Sequence, residues 1–336
     1  MGSARVAGES QLANILRAHR LACVKSVVTG GAGFIGSHLV DTLVARGDEV
    51  LVLDDYSSGK RENLAGALEA GVSAVELDVL DAQALFAAIE EIRPDSVFHL
   101  AAQIDVRRSM ADPGFDARLN VAGTVNALEA AARSDASRFV FTSTAGAIYG
   151  EGADRTDELP FVETARCEPL SVYGQSKLAA EGYVALFART RDLPAGSVRL
   201  SNVYGPRQDP ATEAGVVAIF CELARSGGRP TVFGDGEQTR DYIHVADVVS
   251  ALLAMEGSDD QGPLNVGTGI ETTVLELAER VGSSAGRGDF EPEFVPARAG
   301  EIQRTVGDPA AAALRLGWRA ERSIETGLDE TLAAGG

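Results

Sequence analysis

Lys25-Ser26-Val27-Val28-Thr29-Gly30-Gly31-Ala32-Gly33-Phe34-Ile35-Gly36-Ser37-His38-Leu39-Val40 is the stretch that decides the fold. A short β-branched run at 26–29 leads without a spacer into glycines 30, 33 and 36, and these open an apolar-periodic segment at 34–46. Glycine there permits a tight turn, close approach of backbone to a pyrophosphate, and close packing of helix on strand. The helix start then presents free N–H groups and a partial positive charge to an anion. About twenty residues beyond the glycines, the next apolar run ends in Leu53-Asp54-Asp55. A carboxylate at that place accepts the ribose hydroxyls and repels a 2′-phosphate. No basic residue follows before Lys60, so the pattern favours NAD over NADP.

Outward from this nucleus, strands are expected at 50–53, 74–77, 97–100, 139–142 and 198–200, each buried on both faces. Helical periodicity covers 82–92, 115–133 and 172–189 between them. Alternation of this kind predicts an α/β fold, a Rossmann-type doubly wound parallel sheet. After about residue 201, Gly, Pro and Arg become frequent at 205–210, 227–230, 234–240 and 292–300. A smaller, loop-rich substrate unit at the strand ends is expected there. The expected division is an extension at 1–23, a dinucleotide domain at 24–201 to which 241–268 returns, and a substrate domain from 202–240 and 269–333.

Composition sets limits on function. Acidic residues number 49 against 30 basic, a net charge of −19, which disfavours nucleic acid as a partner. With 45% apolar and 24% charged residues, the chain carries a core and is not disordered. No run approaches the ~18 apolar residues of a membrane helix, and residues 1–22 lack a secretory apolar segment. Cys23, Cys167 and Cys221 are odd in number and far apart, and with four scattered histidines they form no metal-ligand pattern. A reducing cytoplasm is the expected setting.

Only three lysines occur, Lys25, Lys60 and Lys177, and the third closes Tyr173-Gly174-Gln175-Ser176-Lys177. At i and i+4 the two side chains share a helical face. A free phenol titrates near ~10, and a neighbouring ammonium together with an oxidised nicotinamide would favour phenolate. Such a base takes the proton from an alcohol while hydride leaves the same carbon. A hydroxyl partner is expected at the preceding strand end, where Thr142, Ser143 and Thr144 all qualify; Thr144 is placed first and Ser143 second. Asp78-Val79, after the third strand, is a further candidate to flank the adenine.

These residues, together with Phe98-His99-Leu100-Ala101-Ala102, Asn120-Val121-Ala122-Gly123-Thr124, Arg240-Asp241-Tyr242-Ile243-His244-Val245 and Asn265-Val266-Gly267-Thr268-Gly269, carry a resemblance. The chain resembles the extended short-chain dehydrogenase/reductases, most of all the bacterial UDP-glucose 4-epimerases. The resemblance implies Tyr173 as base, Lys177 bridging it to the nicotinamide ribose, and Thr144 polarising the sugar oxygen. It implies NAD contacts from Gly30, Gly33, Phe34, Ile35, Gly36, Asp54, Asp55, Ser58, Asp78, Val79, Leu100, Ala101, Ala102 and Asn120. Substrate contacts are implied at Asn202, Val216, Arg240, Arg298, Glu301 and Thr305, the arginines suiting paired phosphate oxygens. A small residue at the Thr305 position implies room for N-acetyl sugars, and related enzymes form homodimers through the helices at 115–133 and 172–189.

Related dehydratases carry an Asp-Glu pair after the strand-end Thr, and related decarboxylases a Glu; here Ala145, Gly146 and Ala147 follow Thr144. Without an acid at that tip, elimination lacks its proton-transfer partner. The expected reaction interconverts UDP-glucose and UDP-galactose by transient C4 oxidation and non-stereospecific re-reduction with tightly bound NAD. The alternatives are an epimerase of UDP-glucuronate or another nucleotide sugar, a dehydrogenase releasing its reduced cofactor, and a non-catalytic NAD-sensing protein.

Overall fold

The computed structural model describes residues 24–211, 215–298 and 300–335. The extension expected at 1–23 lies outside them. Seven parallel strands form the main sheet: β1 (Lys25–Thr29), β2 (Glu49–Asp54), β3 (Ser73–Glu76), β4 (Ser96–His99), β5 (Arg138–Thr144), β6 (Ala195–Leu200) and β7 (Leu264–Val266). Their spatial order is β7-β6-β5-β4-β1-β2-β3. The order reverses between β1 and β4, and at such a switch point two crossovers diverge and leave a crevice at the strands' carboxyl ends.

Strand side chains alternate between two cores. Val28, Val52, Phe98 and Val140 pack with Leu39 and Leu43 of α1 (Phe34–Arg46) on one face. Val27, Leu53, Val97 and Phe139 pack with α2 (Ala82–Ile92), α3 (Gly123–Arg133) and α4 (Val172–Thr190) on the other. The strand at 73–76 departs from the expectation of burial on both faces: it is the sheet edge, and Val75 is 42% exposed.

A second departure bears on function. The helix expected over 115–133 is broken into a short helix, Pro113–Ala117, a wide π turn, Arg118–Ala122, and α3. Turns of this width re-aim side chains and recur at functional sites, and this one carries Asn120.

Residues beyond β6 build small sheets: Asn202–Tyr204 beside Tyr242–His244, Thr231–Phe233 beside Glu293–Val295, and Thr239–Arg240 between Thr272–Thr273 and Arg304–Thr305. Helices α5 (Val216–Ser226), α7 (Val274–Ser284) and α9 (Ile324–Ala334) close over a core of Tyr204, Phe220, Tyr242, Leu277 and Leu328. Between these, α6 (Val245–Glu256) returns to the main sheet, its Val248 and Leu252 meeting Val140 and Val198, while α8 (Ala310–Leu316) packs beside β7. The loop after Tyr204 is clipped back onto α1: His38 Nε2 meets the Pro206 carbonyl at 2.8 Å, and Arg207 pairs with Asp41 at 2.6 Å.

Candidate active site

A cavity of about 240 Å³ opens at the carboxyl edge of the sheet over the β1/β4 switch point. Gly30, Gly33, Phe34, Ile35 and Gly36 line its base. Gly30 has φ +70°, and a Cβ there would meet the Ala101 amide nitrogen at 2.6 Å. A Cβ on Gly36 would overlap the Gly30 carbonyl oxygen. Gly33 differs: a Cβ would approach only the Gly30 oxygen, at 3.2 Å. Gly33 also caps α1 without a side-chain bond, so the first N–H groups of the helix face the cavity unclaimed by any cap. This cradle fits a diphosphate.

Asp54 and Asp55 stand at the next wall with Ser58. Asp54 accepts from Ala32 N–H at 2.8 Å and from Tyr56 N–H at 2.9 Å, so it locks the glycine turn to the end of β2 as well as facing the cavity. Burial raises its carboxyl above the usual range, while those two backbone donors oppose the rise. Asp55 is exposed and accepts from the Ser57 hydroxyl at 2.6 Å. Val79, Leu100, Ala101 and Ala102 complete the apolar wall.

Two expected cofactor contacts do not reach the cavity. Asp78 turns back on its own loop, accepting from Leu80 N–H at 2.8 Å. Asn120 is buried behind the wall, where its Oδ1 accepts from Gln103 N–H at 2.8 Å and its Nδ2 donates to the Gln103 carbonyl at 2.9 Å. The π turn aims it inward as a brace for the loop after β4.

At the centre, α4 starts at a Ser171 cap whose hydroxyl accepts from Gly174 N–H at 3.1 Å, which sets Tyr173 and Lys177 on the cavity side. The three hydroxyls of β5 separate by environment. Thr142 donates to the His99 carbonyl at 3.2 Å and so serves the sheet. Ser143 lines the cavity with a buried Oγ that has no partner among the described residues. Thr144 lines the cavity beside the Tyr173 side chain, close enough for its hydroxyl to favour the phenolate.

Burial pushes the Tyr173 phenol well above its ordinary value; the nearby Thr144 hydroxyl opposes this and the Asp116 charge adds to it. Lys177 stands one turn further along the same helix and lines the same cavity. Its ammonium donates to the Thr142 carbonyl at 2.8 Å and lies 4.7 Å from the Phe141 ring centre. Burial brings Lys177 down to about 8, against the pull of Asp116 and Glu181. Burial thus opposes phenolate, and positive charge beside the phenol, from Lys177 and from an oxidised nicotinamide, favours it.

The expected substrate residues lie outside this cavity, toward the small sheets. Asn202 is nearest: a Cβ on Gly146 would meet its Oδ1 at 3.2 Å, beside the Thr144 tip. Arg240 and Thr305 are register partners on adjacent strands, and Thr305 is buried. Arg298 is exposed, its guanidinium 3.6 Å from the Phe233 ring centre, and its carbonyl accepts from Glu301 N–H at 3.5 Å. Val216 is half-buried at the start of α5. Sequence reasoning missed Gly59, Leu200, Ser201, Val203 and Gln208 on the cavity wall. Gln208 lies one residue beyond Arg207, and its buried Oε1 has no partner among the described residues.

A glycine cradle, a ribose-facing carboxylate and a Tyr–Lys pair around one crevice define a dinucleotide-dependent enzyme of the Rossmann type. The chain belongs to the NAD dependent epimerase/dehydratase family, whose model matches residues 26–267. NAD is accordingly its cofactor. It is 43% identical over 311 residues to a UDP-glucose 4-epimerase of Mycolicibacterium smegmatis, covering 92% of this chain and 97% of that protein. Among solved structures it is similar to UDP-glucose 4-epimerase of Thermotoga maritima with UDP-glucose, at TM-score 0.88 and 41% identity over 93% of this chain and 98% of that one. A Thermus thermophilus UDP-glucose 4-epimerase complex with NAD matches at TM-score 0.84 and 40% identity, over 92% of this chain and 98% of that one.

Proposed function

We propose that this enzyme interconverts UDP-glucose and UDP-galactose. The observation that carries the reading is the convergence of Thr144 and Tyr173 on one cavity, at a strand tip whose next residues, Ala145, Gly146 and Ala147, hold no acid. Bound NAD supplies the hydride acceptor and donor. Tyr173 takes the proton from the sugar O4 and later returns it, Thr144 orients that oxygen, and Lys177 holds positive charge beside them. Asn202, Val216, Arg240, Arg298, Glu301 and Thr305 hold the nucleotide sugar, and the arginines anchor its diphosphate while the 4-keto ring turns over. Local cations are needed there because a chain of net charge −19 repels a dianion at long range.

The division of labour follows 24–201 with 241–268 for the dinucleotide and 202–240 with 269–333 for the sugar nucleotide. The separate apolar core around Tyr204 and Phe220 supports it. A homodimer through α3 and α4 accords with an apolar strip on α4, where Tyr183 and Leu186 are each 41% exposed. Free Cys167 and Cys221 accord with the cytoplasm, and no helix among the described residues is long and apolar enough to cross a membrane.

The test is separate incubation with UDP-galactose, UDP-N-acetylgalactosamine and UDP-glucuronate, followed by chromatography of the C4 epimers. UDP-galactose is converted without added NAD, and the N-acetyl sugar is turned over as well because Thr305 is small. Conversion of UDP-glucuronate alone would overturn the substrate assignment and leave the chemistry in place.

A further inference from the structure

Asp116 sits on the short helix Pro113–Ala117 with none of its surface exposed. Its Oδ2 accepts from Gln103 Nε2 at 2.9 Å and from Asn120 Nδ2 at 3.2 Å. Its Oδ1 is buried with no hydrogen-bond partner among the described residues. A carboxylate held out of water with an unmatched oxygen is costly unless an opposite charge stands within electrostatic reach.

Lys177 is in the reciprocal situation. It is 3% exposed, and its ammonium meets a carbonyl and an aromatic ring rather than a carboxylate. The ionisable groups that face it come from four elements. On β4, His99 is held neutral by burial and by the Lys177 charge itself. On its own helix are Tyr173 and Glu181, and Glu181 is engaged by Arg199 of β6, with Nε at 3.0 Å and Nη2 at 2.8 Å. On β5 it meets Phe141 and the Thr142 carbonyl, neither of them charged. Asp116 is the remaining anion: its short helix packs against α4, and through Asn120 it is two hydrogen bonds from Ser176, the residue before Lys177.

A mechanical path joins the same residues. Asn120 Nδ2, which donates to Asp116, also reaches Ser176 Oγ at 3.1 Å, and that hydroxyl donates to the Tyr173 carbonyl at 3.0 Å. We propose that Asp116 is a positioning residue: the buried counter-charge that keeps Lys177 protonated and, through Asn120 and Ser176, the anchor of the helical turn bearing Tyr173. The inference rests on Tyr173 and Lys177 being the proton-handling pair, but its test reads no turnover, so its failure leaves that reading standing.

Lys25, Lys60 and Lys177 are the only lysines, so the NAD-bound enzyme grown with 13Cε-lysine gives three signals, and Lys177→Met identifies one. In wild type the Lys177 signal titrates below those of the exposed lysines, as its burial requires. In Asp116→Asn it titrates about one unit lower, the loss expected for a nearby opposite charge, and Asp116→Glu restores it. Asparagine fits the site with its carbonyl toward the two donors and its NH2 on the Oδ1 side; Asp116→Ser removes the charge by a second route. A Lys177 midpoint unmoved in either variant, with Lys25 and Lys60 signals in place as a check of folding, overturns the proposal. In the unsubstituted enzyme a buried carboxyl 13C resonance moves with the Lys177 midpoint, and the absence of any such resonance overturns it too.

Discussion

The Thr144 hydroxyl and the Tyr173 phenol lie beside one another across the gap between the end of β5 and the first turn of α4. The two oxygens thus converge on one side of the crevice, on separate elements whose relative position the sheet fixes. A donor–acceptor pair preset in this way costs no reorganisation when a sugar oxygen enters between them.

Replacing Thr144 by Val removes one of those groups without opening a void. Turnover of UDP-galactose should fall by ~10²-fold or more, and Tyr173→Phe should cost ~10²–10⁴-fold. NAD content, read by absorbance after denaturation, stays at the wild-type level in both. Thr144→Ser retains the hydroxyl and most of the rate. A Tyr173→Phe enzyme working at the wild-type rate would remove the proposed base.

The glycines of the cradle separate two failures that a sequence motif merges. A Cβ on Gly36 collides with backbone, so Gly36→Ala should lower the thermal midpoint as well as abolish NAD retention. Gly33 has room for a methyl except toward one carbonyl oxygen. Gly33→Ala should lose NAD yet keep a midpoint near that of wild type stripped of NAD, because the methyl meets no backbone closely except that oxygen and bound NAD itself raises the midpoint. Differential scanning calorimetry with NAD quantitation distinguishes the two outcomes.

The parallel sheet and the central pair were legible because period and punctuation both report local chemistry: a β-branched run, then glycines, then a 3.6-residue period. Asn120 shows where that ends. Its motif is visible, but the π turn that points it inward arises from packing against Gln103 and Ser176, more than fifteen residues away on both sides. Asp78 shows the converse: a local Asx turn, invisible in the spacing, engages one oxygen of its carboxylate. Likewise, the spacing of Tyr173 and Lys177 gave their shared face, whereas the ammonium's choice of the Thr142 carbonyl depends on how α4 lies over β5. Val203 reaches the cavity from a short strand paired with Ile243, and Gln208 from the loop after Tyr204 that is clipped to α1, both long-range contacts with no periodic signature.

Arg298 offers a test of the nucleotide-sugar wall that leaves the fold alone. It is exposed and stacked on Phe233, so Arg298→Ala removes a cation and little packing. KM for UDP-galactose should rise ~10-fold or more with a smaller change in kcat, as expected for a charge-assisted contact to phosphate. Arg298→Lys recovers part of the affinity, since a point charge lacks the paired donors of guanidinium. An unchanged KM would place the diphosphate elsewhere.

His99 makes stability depend on acid. Its Nε2 faces Thr124 Oγ1 at 3.1 Å and its Nδ1 faces Thr29 Oγ1 at 2.8 Å. Thr124 gives its own proton to the Asn120 carbonyl at 2.6 Å, so Nε2 carries the ring hydrogen and Nδ1 accepts from Thr29. Burial, with a smaller contribution from Lys177, drops this imidazole from 6.5 to about 3. As pH falls below 6.5 the unfolded chain binds a proton that the folded one refuses, so the stability present above 6.5 is lost progressively toward 3. At about 1.4 kcal/mol per unit, lowering the pH from 6.5 to 5 costs roughly 2 kcal/mol from this residue. Urea midpoints at pH 7.5 and 5 should therefore diverge more in wild type than in His99→Gln, which keeps a donor and an acceptor but does not titrate. Equal divergence in the two proteins would mean that the imidazole is already charged inside the sheet.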